Sequence, residues 1–171
     1  MKILNKLGIK WLAYSLELFI AFILGQTPGL IPRIFGVLPM LPICVCVCIA
    51  LFEGEFAGLL FGAAGGLLMD FSGTKVFGFH ALFLTILCYV CGMFVVYLMR
   101  NNIVTCMLLG TGSLLIIGIM RWLFLYVIWD YDGLWYLFYS VILPSVGYSM
   151  VLLPVFFYLN KVIATHLSTD A

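Results

Sequence analysis

The residues able to do chemistry in this chain are few and widely spaced. Asp70, Lys75 and His80 stand among glycines in residues 62–82, GAAGGLLMDFSGTKVFGFHAL. Glu17 and Arg121 each stand alone in apolar runs. Glu53-Gly54-Glu55 reads as a short cytoplasmic loop with two acids and no basic or histidine partner nearby. Cys88-Tyr89-Val90-Cys91 has the C-x-x-C spacing that elsewhere binds metal or exchanges disulfides. Asp130-x-Asp132-Gly133 has the opening spacing of a calcium loop.

None of these groups completes a reacting centre. The C-x-x-C pair lies mid-run without a second ligand pair. Its cysteines, like Cys44, Cys46, Cys48 and Cys106, read as small apolar helix residues. A secreted disulfide framework would place them in loops. The calcium-loop opening lacks its later ligands and reads as a polar turn. His80 reads as a satisfied polar residue rather than a metal ligand. No nucleophile–base pair is present. An enzyme acting on lipid phosphate needs several acids or cations at one depth, and the chain offers too few. The expectation is a non-enzymatic protein with no catalytic, cofactor or metal site.

The elements that must position these residues are membrane spans. Charged residues make up 9% of the 171 and hydrophobic ones 65%, with mean hydropathy +1.25. A water-facing surface of a soluble domain takes about 25% charge. The apolar runs lack the alternation of barrel strands. A net charge of +1 with no basic cluster argues against a nucleic-acid partner. The reading is an all-α integral membrane protein, a single polytopic domain in the lipid bilayer. Six spans are expected, at about 11–25, 34–51, 56–69, 79–99, 103–128 and 134–159. The basic N-terminus before the first run resembles a signal peptide. No A-x-A-like site follows, so a retained first span is expected. Lys2, Lys6, Lys10, Arg100 and Lys161 outweigh Arg33 and Lys75, which places both termini in the cytoplasm. Aromatic residues from Trp122 to Tyr139 (Tyr126, Trp129, Tyr131, Trp135 and Tyr136 between them) read as an outer interfacial belt.

The third span is the most informative. Gly58, Gly62 and Gly66 recur every fourth residue, and Asp70 continues the step, so the four share a helix face. Glycine there lets a neighbouring backbone come close. The face serves either internal packing or a partner helix. About 14 apolar residues at about 1.5 Å each give about 21 Å, short of a hydrocarbon core of about 30 Å. Asp70 is therefore expected just below the outer surface, above a turn of Ser72, Gly73 and Thr74. It either caps that turn or the next helix in interfacial water, or organises the fold or a partner site. Arg121 either snorkels to the same interface or pairs with Asp70. Glu17, a lone acid in a span, is a functional candidate or a tolerated polar residue.

Gly66-Leu67-Leu68-x-Asp70 and, further on, Gly78-x-x-Ala81-Leu82 resemble the signature region of the MreD family, the bacterial rod shape-determining proteins. The basic N-terminus, the proline-bearing second span (Pro39, Pro42), the short loops and the late Pro154 followed by Lys161 extend the resemblance along most of the chain. It implies a six-transmembrane-helix bundle similar to the substrate-binding subunits of vitamin (ECF-type) transporters. It also implies a scaffold role in the bacterial cytoplasmic membrane, maintaining cell shape within the cell-wall elongation complex. The implied partners are MreC, a single-span coiled-coil protein, and, through it, RodA and a class B penicillin-binding protein, with MreB reached indirectly. Gly58, Gly62, Gly66, Asp70, Gly73, Gly78, Ala81 and Leu82 are then the packing or partner residues. Asp70, Arg121 and Glu17 are the candidates for polar pairing inside the membrane. The alternative is a vitamin-transporter subunit. Such subunits dock through A-x-x-x-A in the first span, where Ala13 and Ala21 instead flank Glu17.

Overall fold

The computed structural model describes residues 2–27, 37–72, 77–98, 101–127 and 138–167. Helices account for nearly all of them. α1 spans Lys2–Gln26, α2 Leu41–Glu53, α3 Glu55–Phe71, α4 Phe79–Tyr97, α5 Ile103–Arg121 and α6 Leu143–Leu167. α5 runs on into π-helical turns at Trp122–Val127, and another π-helical stretch, Phe138–Ile142, leads into α6. Pro144 sits just inside α6. It has no N–H to give the carbonyl of Ser140, and its ring crowds that carbonyl, which fits a widened turn there.

Among the described residues, five helices form a closed ring around a sixth. α1 packs on α3, α3 on α4, α4 on α5, α5 on α6, and α6 returns to α1; each of the five also touches α2. The sequence of α2, LPICVCVCIALFE, explains its central place. It is apolar on every face until Glu53, and such a helix belongs in a core. Leu41 through Leu51 are all buried. Its cysteines, valines and alanine are small enough to admit neighbours from all sides. Pro42, in the first turn, costs α2 no hydrogen bond.

Entry to α2 is a non-helical segment, Val37–Met40, in a buried setting where backbone groups need partners. α6 supplies them. Met40 N–H donates to Ser149 Oγ at 2.7 Å, and Ser145 Oγ donates to the Leu38 carbonyl at 3.0 Å. At the other end of α2, Gly54 makes a one-residue join. Its φ of 86° lies in the left-handed region that glycine favours. Its N–H closes α2 on the Ala50 carbonyl, and its own carbonyl accepts the Gly58 N–H that opens α3.

Among the described residues, four segments are long and apolar enough to cross a membrane: Gly8–Gln26, Phe79–Tyr97, Ile103–Phe124 and Phe138–His166. Large apolar side chains such as Leu12, Phe19, Leu60, Leu108 and Val151 are exposed on the outside of the ring, as lipid contact requires. The chain is an all-helical, multi-pass membrane protein.

Several expected boundaries shift. The second span, expected at 34–51, is a helix only from Leu41; its 13 residues span about 20 Å at 1.5 Å each and meet protein rather than lipid. The sixth, expected to stop at 159, runs on to Leu167; Asn160 donates inside the bundle, to Glu17 and to the Phe156 carbonyl, rather than ending the helix. The third and fourth fall within two residues of expectation. Gly73, Thr74, Arg100, Asp130, Asp132 and most of the aromatic belt lie outside the described residues.

Candidate functional site

The join of α3 and α4 is built from small residues on both sides. A Cβ on Gly58 would come within 2.7 Å of the Cys88 carbonyl oxygen, and one on Gly62 within 2.9 Å of the Leu84 carbonyl oxygen. On Gly66 it would meet the backbone of His80 and Ala81, with the Ala81 nitrogen at 2.6 Å. α4 answers in kind at Gly92, where a Cβ would come within 2.7 Å of Glu55 N and Cα. The glycine face of α3 therefore lies against α4. Gly65, beside this row, turns to Cys46 of α2.

This seam carries Asp70 to the start of α4. Asp70 Oδ1 accepts the His80 backbone N–H at 3.1 Å and meets His80 Nδ1 at 2.9 Å. Its Oδ2 accepts the Ala81 N–H at 3.1 Å. The first N–H groups of a helix have no partner within it, and here a carboxylate from the preceding helix takes two of them. An anion at this position also complements the positive end of the helix dipole. Asp70 caps the next helix, one of the two expected roles. It does so in the core, at 3% exposure, and not in interfacial water. The glycine step explains why: α4 lies so close that its first turn covers the acid. Gly78, with φ of 89°, makes the left-handed bend at which α4 begins.

Beside this cap lies a cavity of about 420 Å³. It sits at the end of the bundle where α1, α3 and α5 finish and α2, α4 and α6 begin. Gln26, Ser72, His80, Arg121 and Ser145 contribute polar groups to its lining; Phe22, Met40, Met69 and Ile142 contribute apolar ones. Arg121 and the Asp70–His80 pair thus come to one place. His80 is 3% exposed, and its Nε2 is buried without a hydrogen-bond partner among the described residues. An ionised carboxylate only accepts, so Nδ1 carries the proton toward Asp70, and a neutral imidazole then presents Nε2 as an acceptor.

Glu17 belongs to a different network, about eight residues down α1 from Gly25 and Gln26. Asn160 Nδ2 donates to Glu17 Oε1 at 2.9 Å and to the Phe156 carbonyl. Glu17 Oε2 and Asn160 Oδ1 are buried without partners among the described residues. A glutamine at 17 keeps the acceptor and adds a donor for this environment. Glu17→Gln is therefore expected to unfold in detergent at or above the wild-type temperature. Glu17→Leu, which removes a buried partner of Asn160, is expected to lose about 1–2 kcal/mol. Thermal unfolding followed by tryptophan fluorescence distinguishes the two.

The acid pair at Glu53-Gly54-Glu55 does have a basic partner. Lys10 Nζ lies 2.7 Å from Glu53 Oε1, and the Tyr14 hydroxyl donates to the same oxygen at 2.8 Å. α1 brings both from more than 38 positions away, so sequence neighbours give no sign of them. The six cysteines are free thiols that fill helix contacts. Cys46 donates to the Phe61 carbonyl, Cys48 faces Cys106 at 3.7 Å, and Cys91 faces Ser113 at 3.3 Å. Among the described residues, no three His, Cys, Asp or Glu side chains gather as a metal site. Ala81 lies in the seam, whereas Leu82, 57% exposed, points outward.

Fold and site together define a multi-pass helical membrane protein with a buried Asp–His cap beside a polar-lined cavity. Comparison with protein-family models, curated proteins and solved structures finds no match to this chain.

Proposed function

We propose that this chain is a non-enzymatic scaffold subunit of the bacterial cell-wall elongation complex, a six-span protein of the MreD type in the cytoplasmic membrane. One observation carries the reading. The residues of the MreD-like motif converge on a single junction: Gly66 lies against Ala81, Asp70 holds the Ala81 amide, and Gly78 makes the bend before them. A motif whose members hold one helix start against another is a folding motif, as a scaffold requires. Leu67 and Leu82 are the motif residues left facing outward, where a single-span partner of the MreC kind has access to them. Through that partner the chain reaches RodA and a class B penicillin-binding protein, and MreB indirectly, and so supports cell shape.

The test is purification in mild detergent from native membranes, with mass spectrometry of what is retained. Recovery of a single-span coiled-coil protein with synthase components is expected. The cavity favours a second reading, a substrate-binding subunit of an ECF-type transporter, since its volume falls within the range of about 300–1,000 Å³ typical of ligand pockets. Recovery of a paired ATPase with a coupling membrane subunit would establish that reading and overturn the scaffold.

A further inference from the structure

His80 Nε2 is the group that the fold leaves unexplained. Buried polar atoms are nearly always paired, and an unpaired one calls for a physical reason. Asp70 fixes the imidazole by its other nitrogen, so the ring is held in place with one acceptor unused. The same side chain lines the cavity, as does Arg121. A single water would satisfy Nε2. It would not account for a space of about 420 Å³, because a water's share of liquid volume is about 30 Å³. Nor would it account for apolar walls at Met40 and Met69. A cation, a fixed acceptor and an apolar wall in one space are the complement of an amphipathic acid.

We infer that this cavity binds an amphipathic acid. Its anionic oxygen lies on the Arg121 side, an adjoining O–H or N–H donates to His80 Nε2, and its apolar body rests on Met40 and Met69. A guanidinium suits phosphate or carboxylate oxygens, and the pairing strengthens where water is excluded. The Asp70–His80 pair acts as a positioning element: Asp70 selects the tautomer that leaves Nε2 as the acceptor. The same chemistry is presented by an anionic lipid headgroup bearing hydroxyls and by a small soluble phosphate ester. The inference stands whichever complex the chain joins.

The experiment uses the purified full chain in detergent and follows its unfolding temperature. The probes are dihexanoyl phosphatidylglycerol, dihexanoyl phosphatidylcholine and glycerol 3-phosphate. A ligand that binds the folded state raises the unfolding temperature in a saturable way. Stabilisation by phosphatidylglycerol alone identifies a lipid headgroup. Stabilisation by glycerol 3-phosphate as well identifies a soluble acid; both results support the site. Arg121→Gln is expected to weaken the response at least tenfold. Gln26→Glu, an exposed change at the rim that places a negative charge beside the cavity, is expected to weaken it severalfold without affecting folding. Three results overturn the inference: no stabilisation of the wild type by either acid, equal stabilisation by phosphatidylcholine, or an unchanged response in Gln26→Glu. None of the three depends on Arg121→Gln folding.

Discussion

Asp70→Leu is expected to remove most of the folded protein from the membrane, and Asp70→Asn to remove distinctly less. The carboxylate serves three N–H groups, the backbone amides of His80 and Ala81 and the imidazole Nδ1. Leucine fills much of the same space but leaves all three without that acceptor, in a site from which water is excluded. Each unsatisfied buried group costs about 1–3 kcal/mol. A loss of about 4 kcal/mol is a large part of the total for a marginally stable domain. Asparagine keeps one acceptor oxygen, enough for one or two of the three donors, and replaces the other with a donor facing the Ala81 amide. Its expected loss is about half that of leucine.

The measurement is the amount of monodisperse protein recovered by fluorescence-detected gel filtration after a temperature series. His80→Leu separates the two roles of the acid. It removes the ring but leaves both backbone amides bonded to Asp70, so α4 stays capped. Its loss is expected to be smaller than that of Asp70→Leu. Equal recovery of Asp70→Leu and Asp70→Asn would mean that the cap contributes little to the fold.

The spacing of Gly58, Gly62, Gly66 and Asp70 was legible because all four lie on one helix and share its period. The identity of the helix they face was open, since the matching residues of α4 (Ala81, Cys88, Gly92) form no motif of their own. The pairing of Asp70 with His80 follows from that choice. Once α3 and α4 fold back on each other through glycines, the last turn of one meets the first turn of the other, and the two polar residues are brought together. Glu17 and Asn160 are 143 positions apart and share only their depth in the membrane; nothing local links them. α2 was legible as apolar but not as central. A run without a polar face fits a lipid-facing span and a buried core helix equally well. Its 13-residue length decides, and that length was hidden by the apolar residues before Pro39.

Gly66→Ala is the smallest change expected to have a large effect, and it tests the seam directly. The added methyl would lie 2.6 Å from the Ala81 nitrogen and 2.6 Å from the His80 carbonyl oxygen. Both are backbone atoms and cannot swing aside as a side chain would, so α3 and α4 must move apart. Over-packing a tight contact costs about 1–3 kcal/mol. Here the same displacement would also lengthen the Asp70 bonds to His80 and Ala81, one turn away, so a loss of about 3 kcal/mol is expected. Gly62→Leu, which drives a larger side chain against the Leu84 carbonyl and Thr85 Cα, is expected to be worse. Gly112→Ala supplies the control. A Cβ there meets nothing within 4 Å, and alanine favours a helix interior over glycine by about 1 kcal/mol. It should unfold at or above the wild-type temperature. If the Gly66 and Gly112 variants unfold alike, close backbone contact is not what the glycine row provides. If only the Gly66 variant fails, and Asp70→Leu adds little when combined with it, the seam and the cap are one device: the glycines bring α4 near enough for the acid to reach its amides.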